Sequence, residues 1–279
     1  MFRGFGRSYT NKIFIDSRFK TPESVSDSDF TLEQPKNVEL NGYTGGILTD
    51  ITLPHTWYNV SSNNNKLFFR RVVDAVSTDF TAELTPQNYD IFELAAALED
   101  RMNGVVGSQA FDVTSDVQAG CLVIQVLPTT WAVDIFSDGE LQTRVNGTWR
   151  GPFYDISNIK SLNSMLRINS RVNDPFTSIS PFRTGFIDLQ PIHSVYITSS
   201  KVSNYSNLGP SGQRNVLKKM VINSNFGEVN TYDYAFQEDA VNLSGLTLKL
   251  IDLQIRDYAG NVIDLNGAHV SFSLLFVKM

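Results

Sequence analysis

Apolar residues recur at every second position, in short runs, through most of this chain. Leu253 and Ile255 alternate with polar neighbours, and so do Val270, Phe272, Leu274 and Phe276. Period two is the spacing of a strand with one buried face. Several runs end at pairs that tolerate positive φ, such as Ala119-Gly120, Gly260-Asn261 and Asn266-Gly267, as turns between strands require. Clear helical spacing occurs over residues 90–103, where Ile91, Leu94, Ala95, Leu98 and Met102 form one stripe. Asp90 with Glu93 reads as a capping pair and Asn103-Gly104 as a stop. A weaker helical pattern covers 158–168. Short strands at this spacing, with one or two helices inserted, predict an all-β sandwich or jelly roll.

Individual segments carry more specific expectations. A first strand begins near Lys12, with Ile13 and Ile15 on one face. Strands over 26–34 and 37–40 are expected to break at Pro35. Pro54 marks an edge, a bulge or a bend within 47–60, because proline donates nothing to a ladder. Residues 111–117, 121–127, 131–136, 185–189, 193–200, 215–222 and 227–234 read as strands, with a turn at Asp138-Gly139. In the long run 246–257 the apolar positions change from even (Leu246, Leu248, Leu250) to odd (Leu253, Ile255). A β-bulge near Ile251–Asp252 would account for that change.

The chemistry available is narrow. Net charge is −6 over 279 residues, which argues against sequence-independent phosphate binding and gives no sign of a nucleic-acid partner. The single cysteine, Cys121, excludes an intrachain disulfide and sits in the apolar run AGCLVIQV as a small core residue. No apolar run reaches the length of about 18 needed for a membrane span, and the first residues lack the apolar core of a secretion signal. The four Asn-x-Ser/Thr triplets at Asn59, Asn146, Asn204 and Asn242 are what an Asn-, Ser- and Thr-rich chain produces by chance.

His55, His193 and His269 are far apart in sequence, unlike the clustered histidines of metal-using β-sandwich enzymes, and each is expected at a strand end or on the surface. The stretch IRDYAGNVIDLNG (255–267) fails as a calcium loop: counting from Asp257, Ala259 holds a ligand position, Val262 replaces the required glycine and Ala268 the required glutamate. Its aspartates are expected to cap turns. Arg70-Arg71 and Lys218-Lys219 read as solvated strand positions, and Trp57, Trp131 and Trp149 as packing residues. No catalytic, cofactor-binding or metal residue is assigned, and no cofactor is expected.

Residues 1–12 interleave Phe2, Phe5 and Tyr9 with Arg3, Arg7 and Lys12, and read as a flexible arm before a single elaborated domain over 13–279.

Two segments carry a resemblance. LIDLQIRDYAGNVIDLNGAHVSFSLLF resembles the ending of the penton (minor capsid) proteins of virophages, Polinton-like viruses and related double-stranded DNA viruses. ILTDITLPHTWYNVSSNNNKLFF followed by PQNYDIFELAAALEDRMN is similar to their P-x-x-W-Y-N strand, asparagine-rich turn and N-Y-x-I-x-E-L helix. The motifs come in the family's order from about residue 28 onward. One departure is SLNSMLRIN (161–169), where Arg167 and Ile168 stand in place of the family's glycine and aromatic residue. The resemblance implies a single jelly-roll β-sandwich of two antiparallel sheets. It also implies a homopentamer at the fivefold vertices of an icosahedral virion, with the major capsid protein as partner and no enzymatic activity. Phe2, Arg3, Phe5, Arg7 and Tyr9 would then be inward-facing arm contacts. The competing readings are a carbohydrate- or receptor-binding β-sandwich such as a viral fibre head, and a glycosidase or metal-dependent enzyme.

Overall fold

The computed structural model describes residues 12–278 except 39, 41, 146–147, 150–159, 169–174, 203–206, 211, 235, 245 and 247. The elements in chain order are β1 (Lys12–Asp16), β2 (Asp29–Val38), β3 (Gly45–Pro54), β4 (Lys66–Val73), β5 (Val76–Glu83), α1 (Ile91–Val106), β6 (Phe111–Asp116), β7 (Cys121–Val126) and β8 (Ala132–Ile135). There follow α2 (Asp138–Thr143), β9 (Arg144–Val145), β10 (Thr148–Trp149), α3 (Asn163–Leu166), β11 (Phe176–Thr177), β12 (Phe182–Arg183) and β13 (Ser194–Thr198). The last are β14 (Val216–Val221), β15 (Val229–Tyr232), β16 (Val241–Asn242), β17 (Leu248–Arg256) and β18 (Ser271–Val277). The chain is all-β with short helices inserted. It divides into two compact units: one joins the chain up to Trp57 with the chain from Ile192 on, and the other is Tyr58–Pro191.

The first unit is a jelly roll. Its sheets run β1-β18-β3-β15, with β16 also on β3, and β14-β13-β17-β2. All pairings are antiparallel and nested: β1 with β18, β2 with β17, β3 with β15, and β13 with β14. This is a long two-stranded ribbon rolled into a sandwich. Ile15, Ile51, Leu53, Phe272, Leu274 and Phe276 of one sheet share a core with Phe30, Leu32, Ile197, Ile251, Leu253 and Ile255 of the other. The second unit lies in sequence between β3 and β13, as an insertion in the ribbon.

The strand irregularities have local causes. Asp50 has φ 49°, and Thr49 to Thr52 on β3 oppose Ser273 to Ser271 on β18. That is one extra residue on β3, a bulge that moves the inward face from Leu48 to Ile51 and Leu53. Pro35 does not break its strand: β2 runs through it, because β2 is an edge strand and the pairing slips between Glu33↔Leu250 and Val38↔Leu248. The same slip is the face change expected in β17. It lies upstream of the expected place, so Ile251 joins the inward set and Leu250 is exposed. Pro54 is the last residue of β3.

The second unit holds a sheet ordered β11-β8-β4-β5 and another ordered β12-β7-β6. Its core combines Leu67, Phe69, Phe111, Ile124 and Val133 with Leu94, Leu98 and Met102 of α1. α1 starts as expected: the Asp90 carboxylate accepts from the Phe92 and Glu93 amides, and Glu93 accepts from the Asp90 amide. It does not stop at Asn103-Gly104 but ends at Gly107, in the left-handed region with φ 73°. Asn103 is instead a buried clamp. Its Oδ1 accepts from the Ala110 and Phe111 amides at 2.8 Å each, and its Nδ2 donates to the Phe111 carbonyl at 3.0 Å. The helix end and the start of β6 are thereby fixed together.

Three further expectations change. Of the helix expected over 158–168, the described residues form α3, ended by Arg167 at φ 48°, the glycine position of the motif quoted above; the turn is made without the glycine. Residues 185–189 form no strand, although Ile187 is buried. Asp138-Gly139 opens α2 instead of a turn, because the Ser137 hydroxyl and Glu140 carboxylate form a reciprocal cap.

Candidate assembly surface

Lys218 organises one edge of the jelly roll. It lies on β14 at the parity of the core residue Met220 and opposite the core residue Ile197, so it is buried and not solvated as its sequence suggested. Its side chain is 3% exposed and pairs with Asp239, which the turn at Gln237–Asp239 delivers. The ammonium also lies 4.4 Å from the centre of the Tyr232 ring and 5.9 Å from that of Phe236, on the negative faces of the rings. Tyr232 belongs to β15, on the other sheet, so Lys218 ties the two sheets together at their edge.

Outside this anchor the rings continue into solvent. Tyr234 meets Tyr232 edge-on at 5.9 Å and stacks on Phe236 at 6.2 Å, with 19° between planes. Tyr234 is 68% exposed and Phe236 51%. Asp233 and Glu238 flank them and are exposed. Because Asp239 is engaged by Lys218, these two carboxylates set the charge of the surface, which is therefore both aromatic and acidic.

The opposite edge of the same sheet is β1. Ile15 faces the core, while Phe14 and, beyond the strand, Phe19 and Val25 are exposed. Lys12 pairs with Asp50. That bond, with one from the Ser273 hydroxyl, holds the Asp50 carboxyl below its ordinary pKa. The arm residues Phe2, Arg3, Phe5, Arg7 and Tyr9 lie outside the described residues.

The remaining candidates resolve into structural roles. His55 follows β3, is buried, stacks on Trp57 at 4.2 Å and contacts the Ser224 carbonyl through Nδ1 at 2.8 Å. Burial pushes its pKa down, against weaker upward pulls from that carbonyl and Glu228. His193 precedes β13 and is exposed. His269 precedes β18 and contacts Asp27 at 2.9 Å. Among the described residues no group of His, Cys, Asp and Glu is placed to hold a metal, and no helix is long and apolar enough to cross a membrane. Asp257 accepts from the Ala259 and Asn261 amides at 2.9 and 2.8 Å, and Asp264 from the Asn266 amide at 2.8 Å; both cap turns, as expected. Asp252 differs. Burial pushes its carboxyl up, but the Ser200 and Ser199 hydroxyls and the Ser200 and Lys201 amides outweigh this and lower it. It anchors the loop after β13.

Of the tryptophans, Trp57 is in the jelly-roll core and Trp131 packs against the second core; the side chain of Trp149 is outside the described set. Arg70 pairs with Asp79 at 2.7 Å, and Arg71 lies over Phe80 and Trp131 at 5.1 and 4.7 Å. Cys121 is buried. Sequence reading missed one link between the two family-like motifs. Asn59 donates to the Tyr89 carbonyl at 2.8 Å and accepts from its amide at 2.9 Å, so the W-Y-N and N-Y-D-I segments are joined directly.

No protein-family model and no curated protein matches the chain. Among solved structures, the crystal structure of the mavirus penton protein is similar over 98% of this chain and 100% of its own, with a TM-score of 0.52 and 8% sequence identity. The chain shares the jelly-roll fold of that protein.

Proposed function

We propose that this chain is a structural capsid protein without catalytic activity: a penton subunit that forms homopentamers at the fivefold vertices of an icosahedral double-stranded DNA virion and meets the major capsid protein there. The observation that carries this reading is the nested eight-strand jelly roll together with the full-length likeness to the mavirus penton protein. Residues 13–279 act as one elaborated domain and residues 1–12 as an arm whose Phe2, Arg3, Phe5, Arg7 and Tyr9 contact other subunits. Two unlike surfaces on opposite edges of one sheet suit a ring, in which each subunit offers one edge and receives the other. The protein is virion-located and assembled inside the infected cell.

Negative-stain imaging of the concentrated protein tests this, with fivefold rings expected. Absence of rings, together with absence of the protein from the vertices of purified particles, would remove the proposal. The exposed, stacked Tyr234 and Phe236 favour the fibre-head reading as the second choice. Threefold heads and glycan binding lost on Tyr234→Ala would support it.

A further inference from the structure

Asp233, Tyr234, Phe236 and Glu238 form an exposed acidic and aromatic surface, and one segment of this chain has the complementary chemistry. Residues 1–11, MFRGFGRSYTN, carry Arg3 and Arg7 among Phe2, Phe5 and Tyr9, with no carboxylate before Asp16. Arginine pairs with carboxylates and lies over aromatic faces, and the receiving surface offers Asp233, Glu238, Tyr234 and Phe236.

Pairing register sets where donor and receiver sit. Lys12, where the arm begins, lies in the row Lys12–Leu275–Ile47. On the other edge, the chain leaves β3 after Tyr232, opposite Ile51, and rejoins it at Val241, opposite Gly46. Segment 233–240 therefore spans the rows that include the arm's root, at the same height along the strands and across the sheet. A rotation axis along the strands keeps every row at its height, so this is the placement a closed ring requires of a contact between neighbours. Eleven residues reach about 36 Å when extended.

We propose that residues 1–11 of one subunit dock on the Asp233–Glu238 surface of its neighbour, with Arg3 and Arg7 meeting Asp233 and Glu238 across the rings of Tyr234 and Phe236. The proposal rests on the capsid-subunit reading for its ring geometry, but its test does not. Two full-length chains, one with Arg7→Cys and the other with Glu238→Cys, are mixed and oxidised; the native Cys121 is buried. The expected product is a covalent heterodimer, with yield falling at least tenfold when the Glu238→Cys chain also carries Asp233→Lys. Rescue is expected when Arg3→Glu is added to the arm of its partner. No heterodimer, or a yield indifferent to Asp233→Lys, overturns the proposal. So does closure of a doubly substituted chain only on itself. The readout uses purified protein, so it stands or falls separately from the location of the protein in particles.

Discussion

Asp239→Asn should destabilise the protein far more than Lys218→Met, although both remove the same ion pair. In Asp239→Asn the ammonium of Lys218 stays in a site where its side chain is 3% exposed, with the Tyr232 and Phe236 rings and a neutral amide in place of a carboxylate. Removing one partner of a fully buried pair costs about 3–5 kcal/mol. Asp239 is about one-third exposed, so water already screens part of the interaction, and a cost of about 2–3 kcal/mol follows. Cation–π attraction to Tyr232 and Phe236 persists in this variant and does not offset the loss. Lys218→Met keeps the apolar stem, removes the charge together with its desolvation cost, and leaves a carboxylate that water can reach. Its stability should lie within about 1 kcal/mol of the parent, and the double variant should resemble Lys218→Met. Equilibrium urea unfolding followed by circular dichroism measures all three. Equal losses for the two single variants, or a larger loss for Lys218→Met, would refute the view of Lys218 as a buried charge held by Asp239.

Four other outcomes are expected. Asn103→Ala removes the acceptor of two buried amides and one of the two donors to the Phe111 carbonyl at the α1–β6 junction and should cost about 3 kcal/mol, with faster hydrogen exchange at Ala110 and Phe111. Arg167→Gly relieves a left-handed residue and loses a pair in which the guanidinium is half-exposed, while Asp188 keeps its bond from the Gln190 amide; a gain of about 0.5 kcal/mol is expected in thermal unfolding. Gly185→Ala should lose about 2 kcal/mol in the same assay, because its Cβ would meet the Arg167 carbonyl oxygen at 2.7 Å. His55 has a folded pKa below its unfolded value, so its contribution is complete above pH 6.5 and declines as pH falls below that, where the unfolded chain takes up the proton first. His55→Asn should flatten the slope of stability between pH 6.5 and 5, and an unchanged slope would contradict the assignment.

Local features of this fold were legible where side-chain chemistry acts over a few residues. The Asp90–Glu93 cap, the α1 stripe and the aspartate-capped turns near the end of the chain belong to this class. Others were present but overlooked. The parity of Lys218 with Met220 places Lys218 inward, and Ser137 with Glu140 is a capping box. The β4–β5 hairpin turns on Asp74-Ala75, with φ of 47° and 65°; a residue with a Cβ at the second position hid a turn that Asp-Gly would have announced. The insertion itself was not legible. Period-two runs look the same in both units, and pairing across the insertion separates them, as for Ile15 with Phe272 and Pro54 with Val229.

That nested pairing fixes a timetable for synthesis. The unit formed by Tyr58–Pro191 is continuous, so all its contacts become available as soon as it leaves the ribosome. Its host is not continuous: β18 emerges last yet lies between β1 and β3. Until then β1 lacks its partner strand, β3 lacks one flank, and the first-made strands stay open while the insertion is already complete. The jelly roll therefore closes after translation of its final strand, and a chain stalled before Ser271 has a folded insertion and an open sheet.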